Sequence, residues 1–360
     1  MPFFQPNKYS PTAPVALPDR QWPSRQIQQA PIWLSPDLRD GNQSLFEPMS
    51  VSTKRRLFDE LVRVGLKEIE VGFPAASQTD FDFVRSLIEQ QAVPSNVTLM
   101  VMCQMREDLI RRTVEAVHGA PRVIVHLYNA TAPVWRDTVF QLSVEGVMSL
   151  IQQHVGLLKT LTDACPGTQW VLQYSPETFN ATELPVALQA SHTAMAAWQG
   201  PAQRPEIINL PTTVGNAPPN VFADQIEWMD RHLQSREHII LSVHTHNDRG
   251  TGVAAAELAQ LAGAQRVEGC LFGNGERSGN VDLVTLALNL HTQGIDCGLD
   301  FSQIDRTAGI ISDCTGLPIH PRHPYVGELV HTAFSGSHQD AIRKGFAAQQ
   351  PDQPWQVPYL

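Results

Sequence analysis

Lysine is nearly missing from this chain of 360 residues: there are only Lys8, Lys54, Lys67, Lys159 and Lys344. Long apolar runs are missing too. None approaches the roughly 18 residues of a membrane span, and residues 1–29, rich in Pro and Gln, lack the apolar stretch of a secretion signal. The five cysteines are scattered and form no C-x-x-C pair, which argues against a zinc ribbon or a redox dithiol and fits a reducing compartment. The net charge of −10 excludes a nucleic-acid partner, since a phosphate backbone demands clustered Lys and Arg. The sequence therefore predicts a cytoplasmic protein with neither membrane nor nucleic-acid contacts.

What is present is a regular alternation of short β-branched runs and amphipathic stretches. Strands are predicted over 32–34, 68–71, 98–102, 123–128, 170–174, 206–210, 239–244 and 267–272. Helices are predicted over 53–64, from Thr79, over 144–163 and over 282–293. Strand–helix alternation implies parallel pairing, and eight such units close a TIM (β/α)₈ barrel, with an open doubly wound sheet as the alternative. Further helices are expected over 300–313 and 326–346, the latter with a Ser-Gly-Ser break at 335–337, giving a C-terminal helical appendage. The predicted organisation is an N-terminal arm (1–29), a barrel (30–298), a helical subdomain (299–348) and a proline-rich linker (349–360).

In such barrels reactive side chains gather where strands end. The predicted strand ends carry Arg39-Asp40, Glu70, His126, Ser175-Pro176-Glu177, Asn209, Thr213 and His244-Thr245-His246. His244 and His246 stand two apart on an extended strand, so both imidazoles point the same way and suit a divalent ion. Asp40 would supply negative charge and Asn280 or water an oxygen, a mixed donor set that leaves Mg²⁺, Mn²⁺ and Zn²⁺ open. A helix or turn cap is the alternative for Asp40, and a helix N-cap for Asn280. Gly273-Asn274-Gly275 lacks the third glycine of a dinucleotide loop and the G-K-[ST] of a P-loop, and H-x-H lacks the helical spacing of a zincin. Lys67 precedes its strand, Lys159 lies in a helix and Lys54 opens one, so a Schiff base has no good lysine. Carbonyl chemistry must then lean on a metal, with Arg39 beside it for a developing oxyanion.

Leu38-Arg39-Asp40-Gly41-Asn42-Gln43, Glu70-Val71-Gly72-Phe73-Pro74, His244-Thr245-His246-Asn247-Asp248 and Gly275-Glu276-Arg277-Ser278-Gly279-Asn280 resemble the signatures of one superfamily. It contains the 2-isopropylmalate synthases, homocitrate synthases and HMG-CoA lyases. Residues 210–215 and 334–340 are similar to the longer 2-isopropylmalate synthases. The resemblance covers nearly the whole chain; the leucine-binding regulatory domain of that group is not recognised in it. It implies an acyltransferase that condenses acetyl-CoA with 2-oxoisovalerate. The metal is expected on Asp40, His244, His246 and Asn280. Arg39 would stabilise the alkoxide, and His126, Ser175, Asn209 and Thr213 would line the oxo-acid pocket. Glu177 and His338 would handle the methyl proton. Glu70 would orient Arg39 or form a buried structural pair. The resemblance further implies a homodimer in which His338 acts on the partner's site, a solvated helix histidine being the alternative. A homocitrate or citramalate synthase, and a non-catalytic metal-binding dimerisation scaffold, are the competing readings.

Overall fold

A computed structural model describes residues 11–198 and 206–359. Its strands are β1 (Ile32–Ser35), β2 (Glu68–Gly72), β3 (Thr98–Gln104), β4 (Arg122–Ala130), β5 (Gln169–Glu177), β6 (Glu206–Thr212), β7 (Ile239–Thr245) and β8 (Arg266–Glu268). All pair in parallel and in chain order, and β8 returns to β1 through Ile32↔Arg266, Trp33↔Val267 and Leu34↔Glu268. The expected TIM barrel is the fold, and the open sheet is not.

The helices are α1 (Asp40–Gln43), α2 (Val51–Val64), α3 (Gln78–Glu89), α4 (Glu107–Ala116), α5 (Val144–Asp163), α6 (Leu184–Trp198), α7 (Pro219–His232), α8 (Gly252–Leu261), α9 (Leu283–Thr292), α10 (Ile304–Thr315) and α11 (Gly336–Ala348). Local chemistry sets several boundaries. Ser50 and Ser143 accept hydrogen bonds from the Thr53 and Gly146 amides and so start α2 and α5. On α2, Leu57, Phe58, Leu61 and Val64 form the buried stripe, each contributing roughly 1.5–3 kcal/mol of apolar burial. The main core lies between strands and helices. A smaller one, Leu34, Met100, Ile124, Val171 and Ile207, plugs the inside of the barrel. Because side chains alternate along a strand, the inward positions beyond this plug continue on β5 as Gln173, Ser175 and Glu177, and on β6 as Asn209. The apolar floor thus fixes which polar groups reach the open end.

Some elements differ from expectation. The third helix is capped by Ser77, whose hydroxyl accepts from the Asp80 amide, and begins before Thr79. The eighth strand stops at Glu268 and does not run to Phe272. There the Cys270 amide turns to the Val281 carbonyl, the Leu271 amide donates to Asp37, and Phe272 takes a φ of 59°. The helix predicted from Asp300 starts at Ile304, since the Asp300 carboxylate first holds the Ser302 amide in a turn.

The chain divides into two units, Met1–Leu317 and Pro318–Leu360. The expected subdomain over 299–348 is therefore split. Helix α10 stays with the barrel, where the Thr307 hydroxyl donates to Glu60 on α2 at 2.8 Å. In the second unit the helix expected over 326–346 begins only at Gly336. Its predecessors form turns, with the Leu329 amide on the Pro321 carbonyl. The stretch read as a linker, 349–360, folds back on α11 over its described residues: Trp355 meets Phe346 edge-on, Tyr359 stacks on His338, and Val357 is buried.

Candidate active site

A cavity of about 330 Å³ opens where the strands end. Of the residues singled out from sequence, Arg39, Asp40, His126, Ser175, Glu177, Asn209, Thr213, His244 and His246 line it. Glu70 lies just behind them, wholly buried, with its carboxylate on the Arg39 guanidinium at 2.7 Å. His338 belongs to α11 in the second unit, where its ring stacks on Tyr359.

Asp40, His244 and His246 bring one donor atom each to within 4.8 Å of one another. Asp40 Oδ2 lies 3.3 Å from His244 Nε2 and 3.5 Å from His246 Nε2. Each imidazole is oriented from behind. His244 Nδ1 faces Glu268 Oε2 at 3.0 Å, and His246 Nδ1 faces the Thr212 carbonyl at 2.9 Å. Both rings therefore donate from Nδ1 and turn Nε2 inward, the nitrogen that is left for a metal. Asp40 Oδ2, His246 Nε2 and Asn280 Oδ1 are buried without a hydrogen-bond partner. Buried orphans are costly unless something binds them, so these atoms fit a cation.

The alternative readings of Asp40 and Asn280 do not hold. The N-cap of the short helix α1 is Arg39, and Asp40 after it holds the Arg39 guanidinium on Oδ1 while its Oδ2 accepts from no amide. The N-cap of α9 is Asp282, which accepts from the Val284 amide. Asn280 is instead held by the Gly273–Asn280 turn, with its Nδ2 on Cys270 Sγ at 3.2 Å. The glycines are obligatory at this turn. A Cβ on Gly275 would sit 2.6 Å from Asn280 Nδ2, and one on Gly279 would sit 1.9 Å from the Gly273 carbonyl oxygen. Both positions also have positive φ, 140° and 91°.

Electrostatics match the geometry. Burial opposes ionisation of Asp40, but the Arg39 guanidinium and the two imidazoles hold its carboxyl well below the usual range. For His244 burial likewise opposes charge, and Asp40 and Glu268 outweigh it, lifting the imidazole to about 9, so a cation binding at Nε2 would displace a proton there. Glu177 is raised by burial, against the pull of Arg39 and with a push from Glu276. Tyr128 is pushed up to about 12 by burial and by Glu177, so it stays a neutral hydrogen-bond donor.

Lys54, the remaining Schiff-base candidate, is fully buried away from the cavity on Asp80 and the Leu38 carbonyl. Sequence reasoning missed Glu268 and Met102, and named Phe73 and Glu276 only within motifs. Glu268 had a detectable signal, since Arg266 and Glu268 are two apart in a strand and so share a face. Met102 and Phe73 had none that distinguishes a cavity wall from a core.

The HMGL-like family profile matches residues 30–311 of the chain. The chain belongs to the HMGL-like family. A second profile, described as alpha-isopropylmalate synthase, post-catalytic domain-like, matches residues 328–360. Among relatives of this HMGL-like chain, the 2-isopropylmalate synthase of Herbaspirillum seropedicae is 66% identical over 98% of the chain and 61% of its own length. That of Azotobacter vinelandii is 60% identical over 98% of the chain and 63% of its own length. The chain thus spans about three-fifths of the curated relatives it matches. Among solved structures, HMG-CoA lyase from Pseudomonas aeruginosa superposes with a TM-score of 0.64 at 18% identity, over 82% of this chain and 96% of that one. HMG-CoA lyase from Brucella melitensis gives 0.63 at 16% identity, over 80% and 100%. At such identities the likeness concerns the fold alone.

Proposed function

We propose that this chain carries the catalytic machinery of a 2-isopropylmalate synthase, condensing acetyl-CoA with 2-oxoisovalerate to give 2-isopropylmalate and CoA after thioester hydrolysis. The observation that carries the reading is the convergence of ligand atoms of Asp40, His244 and His246 to within 4.8 Å of one another, in a chain 66% identical to an enzyme of that name. Asp40, His244, His246 and Asn280 would hold a divalent ion, be it Mg²⁺, Mn²⁺ or Zn²⁺, which would supply Lewis-acid polarisation of the oxo-acid carbonyl.

Glu177 takes a proton from the acetyl methyl group; burial raises its carboxyl, which makes it a stronger base than a solvated glutamate. The methyl carbon then attacks the 2-oxo carbon, and the oxygen that gains charge lies against Arg39. Glu70 and Asp40 hold that guanidinium in place from two sides, so its donors are preorganised. His126, Ser175, Asn209 and Thr213 bind the oxo acid. Water finally cleaves the thioester, and His338, supplied across a homodimer, shares the proton traffic with Glu177. Five free cysteines fit a reducing cytoplasm.

Phe73, Met102 and Pro211 on the cavity wall favour an isopropyl group over the extra carboxylate of a homocitrate precursor. Arg39, the one guanidinium on that wall, is already paired with Glu70 and Asp40. Thiol release from acetyl-CoA across a panel of 2-oxo acids and metals tests this. Release is expected with 2-oxoisovalerate and an added divalent ion. Preference for 2-oxoglutarate or pyruvate would replace the substrate assignment, and no release with any acid would favour the metal-binding scaffold.

A further inference from the structure

Eight polar contacts close a ring inside the barrel. From Asp40 the ring passes through Arg39 (3.0 Å), Glu70 (2.7 Å), His126 (3.4 Å), Ser175 (2.7 Å) and Asn209 (3.0 Å). It then reaches Glu268 (3.4 Å) and His244 (3.0 Å), and returns to Asp40 (3.3 Å). Glu268, wholly buried at the end of β8, orients more of this ring than His244 alone. Its Oε2 accepts from His244 Nδ1 and Asn209 Nδ2. Its Oε1 accepts from Gln173 Nε2 at 2.7 Å and Arg266 Nη1 at 2.6 Å. Four donors converge on one carboxylate, and only an ionised carboxylate can accept them all.

We infer that Glu268 is a positioning residue that sets the proton on His244 Nδ1 and the amide orientation of Asn209. It thereby turns a lone pair of His244 towards the metal site and the Asn209 carbonyl oxygen away from its own hydrogen-bonded side. That oxygen is itself buried without a partner, as expected of a group held ready for a bound molecule. Proton positions around the ring follow from this one charge. The Asn209 amide donates to Glu268 and Ser175, the Ser175 hydroxyl donates to His126 Nε2, and His126 donates from Nδ1 to Glu70. One residue thus orders both the metal-ligand side and the oxo-acid side of the cavity. The inference rests on the metal reading given above.

An amide in place of Glu268 keeps the shape but accepts on one side only. Arg266, being charged, would retain the oxygen, so the amide nitrogen would face two donors, His244 Nδ1 and Asn209 Nδ2. His244 would escape by moving its proton to Nε2, the nitrogen that faces Asp40, and so lose its ligand lone pair.

Binding of Mn²⁺ to the metal-free chain, followed by electron paramagnetic resonance, is the test. Glu268→Gln should weaken Mn²⁺ binding by about 10–100-fold and raise the KM for the oxo acid. Glu268→Asp, which keeps the charge, should recover part of both. Glu68→Gln serves as the control. Glu68 also pairs with Arg266, at 2.6 Å, but touches neither His244 nor Asn209. It should lower thermal stability and leave Mn²⁺ affinity alone. Wild-type affinity in folded Glu268→Gln, or an equal loss in Glu68→Gln, overturns the assignment to Glu268. If His246→Ala binds Mn²⁺ as tightly as the wild type, it is the metal reading that fails. Should Glu268→Gln not fold, the histidine ring ¹H–¹⁵N spectrum of the Zn²⁺-loaded wild type decides. A proton on His244 Nδ1 supports the inference, and one on Nε2 overturns it.

Discussion

Asp37 shows how far one residue's chemistry can depart from its type. It lies three positions before Asp40, fully buried, accepting from the Ser35 hydroxyl and the Leu271 amide at 2.7 and 3.1 Å, while its other oxygen has no partner. Desolvation dominates, and the carboxyl is raised to about 7. An unfolded aspartate ionises near 3.9, so between these values the folded chain holds a proton that the unfolded chain has released. Stability therefore falls as pH rises through that window and levels off above about 7. Asp37→Asn keeps the accepting oxygen and removes the charge. Its melting temperature should gain on the wild type steadily from pH 5 to pH 7, as scanning calorimetry would register. A constant difference across that range would mean that Asp37 ionises normally in the fold. The same residue-level logic made Asp40 and the two histidines legible in sequence, because same-side spacing is a property of a strand alone.

Among elements, the loops after β6, β7 and β8 are tied by a single guanidinium. Arg277, at a φ of 56°, donates to both oxygens of Asp248 and to the Thr213 carbonyl. Asp248 also accepts from the Gly215 amide, and its carboxyl is held down near 2, chiefly by the Arg277 hydrogen bonds. The tie joins the loop carrying Glu276 and Asn280 to the loops carrying Thr213 and His246. Arg277 is partly exposed, so the pair contributes at most about 1 kcal/mol to stability. Its value is positional, and misplacement of order 1 Å at a reacting centre can cost about 10²-fold. Arg277→Ala should therefore leave the melting temperature nearly unchanged while lowering kcat/KM by about tenfold or more. A proportionate loss of both, in steady-state assays and thermal melts run together, would reduce the tie to a stability contact.

At the scale of the whole molecule, the question is whether one chain completes its own site. His338 sits on α11 in the second unit, and Glu177 lies in the mouth cavity of the first. In our proposal His338 of one chain serves Glu177 of the partner subunit. His338→Ala and His244→Ala chains should each be inactive alone, and mixing them should restore activity, because half of the mixed dimers' sites then draw intact residues from both chains. No recovery after subunit exchange verified by mass spectrometry would sink the trans arrangement.

The sequence by itself determined the barrel, through eight alternations of strand and helix. It also identified the residues at the strand ends, since period two and the strand-end rule are local facts. Asp40, His126, Ser175, Glu177, Asn209, His244 and His246 were all reachable this way. Tertiary structure alone decided what those residues do to one another. Asp40 and His244 meet only because β1 and β7 both pair with β8. Glu268, unremarkable in a line of text, becomes the acceptor of four donors from β5, β6, β7 and β8 once the barrel closes. The raised pKa of Asp37 has no local signature either, because desolvation is set by what packs around a carboxyl and not by its neighbours in sequence. The turns before α11 and the return of residues 349–359 onto it likewise escaped prediction, since proline-rich segments show no period and take their course from the surface they fold against.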